Sequence, residues 1–489
     1  MAADRVILFP FVAHGHLNPF AAFAQLLEKR TPFTVTIIST PLNIQKLSTS
    51  LPPNTAIQLI ALPFDASEHG LPSHVQNTDA LPHHLLTPFF HAAINQEAQF
   101  ERLLIDLSQK DGRPPLCLIA DWLFGWTVDV ARRLGVFHAL LFSGGSFGMA
   151  VYYSLWLHLP HRHTESECFS LRGFPETFRL HCSQLDPFIR IASEEIPLYA
   201  LIRRQLSLSL GSDGILCNTV EGMETTGLRL LCRSLGLPVW SVGPLLPPHV
   251  LELPSLRNTA AAGKEGTISS WLNLHPQSSV IFVCFGSQYS ISASQMMGLA
   301  RGLEASGRPF VWLLRPPSGH SSTDDFRAEW LPEGFEERMR ERKQGMLLYQ
   351  WAPQLEILSH GSAGAFLSHC GWNSILEGLS HGLPIMGWPL MADQFFNAKM
   401  AVEELGVCLE VARGVEVEVS GEEVASVIEV VMGGSEGGRE MRRRAMAARD
   451  MLRAAVKDGG SSVVAVEDFC RRISQSKMAG NGLHPKGAA

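Results

Sequence analysis

The feature that most constrains the fold is a twice-repeated alternation between short apolar runs and helix-length segments. In the first half, strands are predicted at residues 5–11, 34–39, 56–62, 116–120, 137–142, 214–218 and 239–243. After a stretch rich in Pro and Ala, the alternation restarts, with strands predicted at 279–285, 310–314, 345–348 and 364–368. Short apolar strands separated by helical segments are typical of parallel β/α/β units. The chain is therefore predicted to be an α/β protein.

The length of 489 residues is too great for one hydrophobic core and fits two domains of roughly 200–250 residues each. We expect an N-terminal domain over 1–243, a linker over 244–266 and a second domain over 267–460. A last helix is predicted at 461–475. The tail at 476–489 is rich in Gly, Ala and Lys and is predicted to be disordered.

Composition excludes several classes of protein. A net charge of −7 argues against a nucleic-acid-binding surface. The nine cysteines are scattered without a C-x-x-C pair, which indicates a reduced chain without a zinc site. Two His-rich stretches, at 69–84 and 158–163, lack a ligand spacing, and the first is better explained as a loop over a pocket. Since no apolar window reaches about 18 residues, no membrane span is expected. We expect a cytoplasmic monomer.

The stretch that begins at Trp351 and ends at Gln394 suits the three parts of a nucleotide sugar. Trp351 and Gln354 offer an aromatic face beside an amide, which fits a planar base. The apolar run 364–368 leads into HCGWNS, and a strand, a Gly turn and a helix N-terminus together favour a phosphate. Asp393 and Gln394 carry donors and acceptors suited to sugar hydroxyls. The order of these features predicts a nucleotide-sugar site.

A candidate base and its carboxylate follow predicted strands of the first half. His14 and His16 come after the first strand, and Asp121 ends the strand CLIAD. Ligands of parallel sheets bind at the carboxyl ends of the strands, so either histidine is a candidate base. A carboxylate on one imidazole nitrogen fixes the tautomer and stabilises the imidazolium. Two alternatives stay open here, in which Asp121 only caps the next helix or the rival carboxylate Asp129 is used.

These segments resemble the plant family-1 UDP-dependent glycosyltransferases. The stretch 351–394 has the length of that family's signature box, with HCGWNS, EG and DQ at the family's positions. The motifs FPFVAHGHLNP, CLIADWLFGW, CNTVEGME, VGPL and VCFGS extend the resemblance across nearly the whole chain. It implies the GT-B architecture, in which two Rossmann-like β/α/β domains face each other across an active-site cleft. It also implies that the last helix returns to the N-terminal domain.

The resemblance implies a role for individual residues. His16 matches the family's catalytic base and Asp121 its partner. In the donor site, Trp351 would stack on uracil, while Ala352, Gln354 and Glu377 would bind the base and ribose. The diphosphate would contact His369, Asn373, Ser374 and Ser287, with His369 among the groups that replace a metal cation, because no D-x-D triplet occurs. The residues expected at the sugar are Ser143, Trp372, Asp393 and Gln394.

The implied reaction is inverting transfer of glucose from UDP-glucose to a hydroxyl of a small lipophilic plant metabolite. A flavonoid or another phenolic is the favoured acceptor, with terpenoids and steroids as alternatives. No cofactor and no metal are expected, and the only partners are the UDP-sugar and the acceptor. Two other functions fit parts of the sequence. Ser146 in GGSFG fits the G-x-S-x-G element of an α/β-hydrolase-type esterase. A non-catalytic nucleotide-sugar-binding protein is disfavoured by the presence of both His16 and Asp121.

Overall fold

The computed structural model describes residues 4–78, 81, 85–193, 195–252, 267–320, 324–349 and 351–480. The chain forms two compact units, and neither is continuous in sequence. Unit 1 combines Met1–Leu180, Ile191–Leu245 and Ala455–Ala489, and unit 2 combines His181–Arg190 and Leu246–Ala454. Each unit is built on a parallel β-sheet.

The two sheets account for most of the strands in the described residues. The strands are β1 (Arg5–Phe9), β2 (Thr34–Ser39), β3 (Gln58–Ala61), β4 (Cys117–Asp121), β5 (Phe137–Phe142), β6 (Cys168–Ser170), β7 (Arg179–His181), β8 (Gly214–Cys217), β9 (Val239–Ser241), β10 (Val280–Cys284), β11 (Phe310–Leu314), β12 (Gly345–Tyr349), β13 (Ala363–Ser368), β14 (Ile385–Gly387) and β15 (Cys408–Glu410). The sheet of unit 1 has the order β3-β2-β1-β4-β5-β8-β9, and that of unit 2 has the order β12-β11-β10-β13-β14-β15. Neighbouring strands in both run parallel.

Helices connect the strands, as parallel pairing requires. They are α1 (His14–Arg30), α2 (Pro41–Ser50), α3 (Leu86–Ile94), α4 (Glu97–Asp111), α5 (Thr127–Leu134), α6 (Ser146–His158), α7 (Pro187–Ile191), α8 (Pro197–Ser209), α9 (Thr225–Leu235), α10 (Pro248–Glu252), α11 (Thr267–Leu272), α12 (Ala293–Ala305), α13 (Phe335–Glu341), α14 (Gln354–Ser359), α15 (Trp372–Ser380), α16 (Gln394–Glu403), α17 (Gly421–Met432), α18 (Glu436–Ala455) and α19 (Ser461–Gly480). Among the described residues, none of these helices is long and apolar enough to span a bilayer.

The last helix, α19, packs on the sheet of unit 1. Its residues Phe469 and Ile473 are fully buried in the same apolar cluster as Val6 and Leu8 of β1. The indole Nε1 of Trp240 on β9 donates to Asp468 over 2.9 Å. The rings of Trp240 and Phe469 lie 5.3 Å apart, edge to face. The C-terminal helix therefore completes the core of unit 1.

Glycines let two helices of unit 2 approach each other closely. A β-carbon on Gly302 of α12 would stand 2.4 Å from Cβ of Val424 on α17, a distance that no pair of carbons tolerates. Val424 is fully buried with Ile281 and Val283 of the central strand β10. A central parallel strand buried on both faces is expected to be apolar throughout, as β10 is.

The α/β prediction is confirmed, and every strand predicted from the sequence is present within two residues of its expected bounds. The strands β6, β7, β14 and β15 were missed, because three residues are too few to show a periodicity. The helical pattern after β1 is visible in the sequence from Pro19 onward, but α1 begins earlier, at His14. The N–H groups of His16 and Leu17 both donate to the carbonyl of Ala13, which closes a helical turn before Pro19.

The units differ from the expected domains in three places. Residues 181–190 belong to unit 2, and residues 455–460 belong to unit 1. The chain passes from one unit to the other at Leu245, where the linker was expected to begin, but 253–266 lies outside the described residues. Residues 476–480 continue α19 as helix, whereas a disordered tail was predicted from 476. The remainder of that tail, 481–489, also lies outside the described residues.

Candidate active site

His16 and Asp121 meet at the carboxyl ends of two neighbouring strands of unit 1. Phe9, the last residue of β1, is paired in register with Ala120 of β4, so the residues after them emerge side by side. His16 lies in the first turn of α1, and its Nδ1 is 2.7 Å from Oδ2 of Asp121. The carboxylate is fully buried, while 21% of the imidazole is exposed. Since Nδ1 is occupied by the carboxylate, Nε2 is the nitrogen that could take a proton from a substrate.

Asp121 both caps the next helix and contacts the imidazole of His16. Its Oδ1 accepts the N–H of Leu123 over 3.1 Å and so caps the short 3-10 helix Trp122–Phe124. Its other oxygen holds His16. The rival Asp129 lies on α5 with 42% of its side chain exposed and pairs with Arg132. The structure thus brings Asp121, and not Asp129, to the imidazole.

Ser143 lies beside this pair, directly after β5. Its Oγ is 3.4 Å from Nδ1 of His16. Asn218, which follows β8, holds the Ser143 loop in place, because its Nδ2 donates to the carbonyl of Ser143 over 3.2 Å. The Oδ1 atom of Asn218 accepts the N–H of Leu245 over 2.7 Å. Sequence reasoning missed Asn218, although its position at the carboxyl end of a predicted strand was a usable signal.

Aromatic rings surround His16 within unit 1. The ring of Phe11 lies edge-on to the imidazole at 5.5 Å, and the indole of Trp122 lies at 6.4 Å. Phe90 extends the aromatic surface from Phe11 at 5.1 Å, and Tyr152 extends it from Trp122 at 5.5 Å. A surface of this kind suits an apolar, ring-containing ligand with a polar group directed at the imidazole.

The surroundings of Ser146 do not suit a nucleophile. Ser146 is the first residue of α6 and is fully buried, with its hydroxyl against Gly227 of α9, where a β-carbon would stand 2.7 Å from Oγ. The N–H groups of Ser146 and Phe147 donate to the carboxylate of Glu224 over 2.8 and 3.0 Å. An esterase needs the N–H after its nucleophile for the oxyanion. These contacts therefore disfavour the esterase.

In unit 2, Ser287 and His369 lie beyond the carboxyl ends of the adjacent strands β10 and β13. The imidazole of His369 is enclosed by two glycines. A β-carbon on Gly286 would stand 2.7 Å from Nε2 of His369, and one on Gly371 would stand 2.5 Å from the same atom. Both glycines are required for the imidazole to occupy this position, which explains two of the glycines in the FGS and HCGW motifs.

The N-terminus of α15 follows directly, with Gly371 as an N-cap that makes no side-chain hydrogen bond. Trp372 is buried, Asn373 is partly exposed and Ser374 is buried in the first turn. The N–H groups at a helix start point along the axis toward an approaching anion. The expected diphosphate residues therefore lie at one helix N-terminus and the two strand ends beside it.

The charge state of His369 depends on its surroundings. Burial, and then the charge of Arg315, lower the pKa of His369 to about 4, so the imidazole is neutral near pH 7. A neutral imidazole can still donate a hydrogen bond to a phosphate oxygen, so the expected place of His369 at the diphosphate stays a prediction. Arg315 follows β11 and donates through Nη1 to the carbonyl of Ser287. The cationic side chain bound to the loop at Ser287 is therefore Arg315. Sequence reasoning missed it, although it directly follows a predicted strand.

The residues expected to bind the base and ribose form a second group in unit 2. Trp351 is 73% exposed, which leaves its indole face accessible for stacking, and Ala352 is buried beside it in sequence. Gln354, at the start of α14, donates through Nε2 to Oε2 of Glu377 and lies 3.5 Å from Oγ of Ser374. Burial raises the pKa of Glu377 to about 7. The structure thus brings α14 and α15 together at these side chains.

Asp393 and Gln394 begin α16 after a tight turn. Oε1 of Gln394 accepts the N–H groups of Leu390 and Met391, each over 3.0 Å, so its amide nitrogen remains for a ligand. Oδ2 of Asp393 accepts from Nδ2 of Asn397 over 3.0 Å. The same Asn397 nitrogen donates to the carbonyl of Cys370 over 3.2 Å, which links this turn to the HCGW loop. Asn397 was also missed, although it lies one helical turn after Asp393.

Within the described residues, no group of three His, Cys, Asp or Glu side chains is placed to hold a metal ion. The His-rich stretch near residue 83 is only partly covered, since 82–84 lies outside the described residues. All nine cysteines are free thiols. Burial raises the pKa of the Cys117 and Cys217 thiols.

Two family models match this chain, one in each half of the sequence. Residues 4–247 match the family described as "Glycosyltransferase, N-terminal domain", and residues 258–439 match "UDP-glucoronosyl and UDP-glucosyl transferase". The chain is 39% identical to UDP-glycosyltransferase 92A1 of Arabidopsis thaliana over 97% of this chain and 98% of the relative. It is 42% identical to crocetin glucosyltransferase 3 of Crocus sativus, over 90% and 93% of the two chains.

Solved structures of similar proteins have the same fold. Glycyrrhiza uralensis UGT73P12, complexed with glycyrrhetinic acid 3-O-monoglucuronide, gives a TM-score of 0.81 at 27% identity, over 98% of this chain and 97% of that one. Medicago truncatula UGT71G1, complexed with UDP-glucose, gives 0.78 at 26% identity, over 96% and 98%. On its sequence, its two parallel-sheet units and these relatives, the chain belongs to the plant family-1 UDP-dependent glycosyltransferases, enzymes of the GT-B fold.

Proposed function

We propose that this glycosyltransferase transfers glucose from UDP-α-glucose to a hydroxyl group of a small lipophilic plant metabolite, with inversion, to give a β-glucoside. A flavonoid or another phenolic is the favoured acceptor, with terpenoids and steroids as further candidates. The observation that carries the proposal is the 2.7 Å contact between Nδ1 of His16 and the fully buried carboxylate of Asp121. It is the arrangement of a general base and its orienting group.

The proposed mechanism follows from this pair. Nε2 of His16 takes the proton of the acceptor hydroxyl while the acceptor oxygen forms a bond to the anomeric carbon of glucose. The bond between that carbon and the β-phosphate oxygen breaks, and UDP departs with the electron pair. Asp121 stabilises the imidazolium that forms and keeps its Nδ1 protonated. Attack from the face opposite UDP inverts the anomeric centre.

Unit 2 supplies the groups that the proposal assigns to the donor. Trp351 stacks on uracil, and Ala352 and Gln354 contact the base and ribose. Glu377 accepts hydrogen bonds from the ribose hydroxyls. The diphosphate meets the N-terminus of α15, with Asn373 and Ser374 in its first turn, together with Ser287 and His369. Arg315 supplies positive charge at the Ser287 loop. We expect transfer to persist in the presence of EDTA, since these groups stabilise the leaving UDP electrostatically.

The choice of glucose rests on the sugar end of the site and on the relatives. Trp372, Asp393 and Gln394 are the proposed contacts to the hexose, and Ser143 is the proposed contact to its 6-hydroxyl. Similar proteins are named for glucosyl transfer to crocetin, to scopoletin and to a flavonoid. The aromatic surface around His16 supports a ring-containing acceptor whose hydroxyl reaches the imidazole.

The proposal is tested by incubating the purified protein with UDP-glucose and a panel of phenols, terpenoids and steroids, followed by mass spectrometry. The expected product gains one hexose, and its proton NMR coupling identifies a β-linkage. His16→Ala should form about 10²–10⁴ times less of it in the same time. An α-linked product, or hexose transfer that is undiminished in His16→Ala, would overturn the mechanism.

A non-catalytic sugar-nucleotide-binding protein would bind UDP-glucose in calorimetry and form no glucoside with any acceptor of the panel. The contact between His16 and Asp121 favours the enzyme. The cytoplasmic location and the monomeric state stay predictions from the sequence. Fractionation of plant cells tests the first, and light scattering on the purified protein tests the second.

A further inference from the structure

Asp186 is a buried carboxylate that no part of the proposed mechanism uses. It belongs to a segment of unit 2 that comes from the first half of the sequence, His181–Arg190. Only 3% of Asp186 is exposed. Its Oδ1 accepts the N–H groups of Phe188 and Ile189, at 2.7 and 3.4 Å, and so caps α7. Its Oδ2 accepts the N–H of Ala392, which lies 206 residues further along the chain.

Ala392 occupies the turn that carries the proposed sugar contacts, and its backbone is unusual. Its φ is +55°, a left-handed conformation that residues other than glycine and asparagine adopt at a cost. Such a conformation persists only where surrounding contacts determine it. The next two residues are Asp393 and Gln394. The direction in which their side chains leave the turn therefore depends on how firmly the backbone at Ala392 is held.

Three consecutive backbone N–H groups in this turn are bound by side-chain oxygens. Those of Leu390 and Met391 donate to Oε1 of Gln394, which comes from the turn itself. The third, that of Ala392, donates to Asp186, which belongs to a distant segment. One oxygen of Asp186 accepts this N–H while the other caps α7, so a single buried side chain joins the turn to a distant segment. Asp186 is thus the external anchor of this turn.

We propose that Asp186 is a positioning residue for donor-sugar recognition, which holds Ala392 in its left-handed conformation and thereby places Asp393 and Gln394 against the hexose. This inference rests on the proposed function of the donor site. It assigns Asp186 no contact with the substrate and no part in proton transfer. Its effect should be confined to the sugar, because the proposed contacts to uridine and diphosphate belong to α14, α15 and the Ser287 loop.

The test compares Asp186→Ala and Asp186→Asn with the wild type in three measurements. These are the affinity for UDP alone, the KM for UDP-glucose, and the ratio of kcat/KM for UDP-glucose to that for UDP-galactose. We expect UDP affinity within about twofold of wild type. KM for UDP-glucose should rise several-fold in Asp186→Ala, and the donor ratio should fall by about threefold to tenfold. Asp186→Asn keeps one acceptor oxygen, so its KM and its donor ratio should lie between those of the wild type and those of Asp186→Ala.

Ser420→Ala is the matched control. Ser420 caps α17 of the same unit, where its Oγ accepts the N–H of Glu423, so the variant loses a helix cap without touching the turn. It should lower the melting temperature and leave the donor ratio unchanged. Asp186 variants that melt earlier but keep the wild-type ratio and KM would overturn the inference. A parallel loss of affinity for UDP and for UDP-glucose would also overturn it.

The same measurements separate this inference from the proposed function. If the wild type prefers another UDP-hexose, the proposed donor is wrong, and the ratio is then taken between that hexose and its 4-epimer. A change of that ratio in Asp186→Asn, at constant UDP affinity, still supports the role of Asp186. If Asp186→Ala fails to fold, Asp186→Asn carries the test alone, with an unchanged ratio as the contrary result.

Discussion

The side-chain amide of Gln354 donates a hydrogen bond of 2.5 Å to Oε2 of Glu377, in a place where burial raises the pKa of that carboxyl to about 7. The ionised form accepts hydrogen bonds from ribose hydroxyls with both oxygens, and the protonated form does so less well. UDP affinity should therefore rise as the pH increases through about 7. Calorimetry at a series of pH values measures this. Glu377→Gln should bind UDP more weakly and without that pH dependence.

The same group affects the stability of the ligand-free protein. Its folded pKa of about 7 lies above the value of 4.5 for an exposed glutamate, so the folded state holds the proton more tightly than the unfolded state. The stability that this proton contributes is fully present below about pH 4.5 and is lost as the pH rises through about 7. Between about pH 4.5 and 7, the melting temperature of Glu377→Gln should fall less than that of the wild type. An equal fall in both proteins would contradict this prediction.

The catalytic pair gives a prediction about rates. His16→Ala should lose about 10²–10⁴ in kcat, because a general base contributes that much, while UDP affinity stays unchanged. Asp121→Asn should lose less, because the imidazole remains and only its orientation and charge support are weakened. His14→Ala is the comparison, since His14 begins α1 two residues before His16. Abolished activity in His14→Ala with a mild effect of His16→Ala would show that the base is His14.

Ser146 gives a negative prediction. Its hydroxyl is buried against Gly227, and Glu224 occupies the neighbouring N–H groups. Ser146→Ala should therefore keep glucosyl transfer within a few-fold of wild type. The assay is repeated with p-nitrophenyl esters. Ester hydrolysis by the wild type that disappears in Ser146→Ala would establish the esterase.

Gln394 allows its two amide atoms to be tested separately. Gln394→Glu keeps an oxygen for the N–H groups of Leu390 and Met391 and replaces only the nitrogen that faces the ligand. A lost hydrogen bond of this kind costs about 1–3 kcal/mol, or one to two decades of rate. Transfer from UDP-glucose should fall by that factor at constant UDP affinity. Steady-state kinetics with UDP-glucose measures it, and wild-type kinetics would show that Nε2 does not contact the sugar.

Arg315 should contribute to UDP binding by its charge. Arg315→Ala is expected to weaken UDP by about tenfold or more, since a hydrogen bond to a charged group contributes about 1.5–3 kcal/mol. The loss should be smaller at high salt. Arg308→Ala is the control, because Arg308 pairs with Glu429 away from the Ser287 loop. Equal UDP affinities of the two variants would remove Arg315 from the diphosphate site.

The sequence was sufficient to predict side chains that lie at the carboxyl ends of neighbouring strands. His16 and Asp121 meet because two adjacent parallel strands end beside each other, and both strands were visible as apolar runs. Contacts between distant segments were not predictable, since nothing in the sequence pairs Asp186 with Ala392. The charge state of His369 could not be predicted from the residue type, because it follows from desolvation of the imidazole and from the nearby charge of Arg315.

The packing of α19 against β9 restricts where the sequences of two relatives can be exchanged to make a chimeric enzyme. A single splice near residue 246 would pair the Trp240 of one parent with the Asp468 and Phe469 of another. It would also separate the segment His181–Arg190 from the turn at Ala392 that it contacts. A chimera that exchanges donor specificity should therefore replace two segments, His181–Arg190 and Leu246–Ala454, and leave α19 with its own N-terminal sheet.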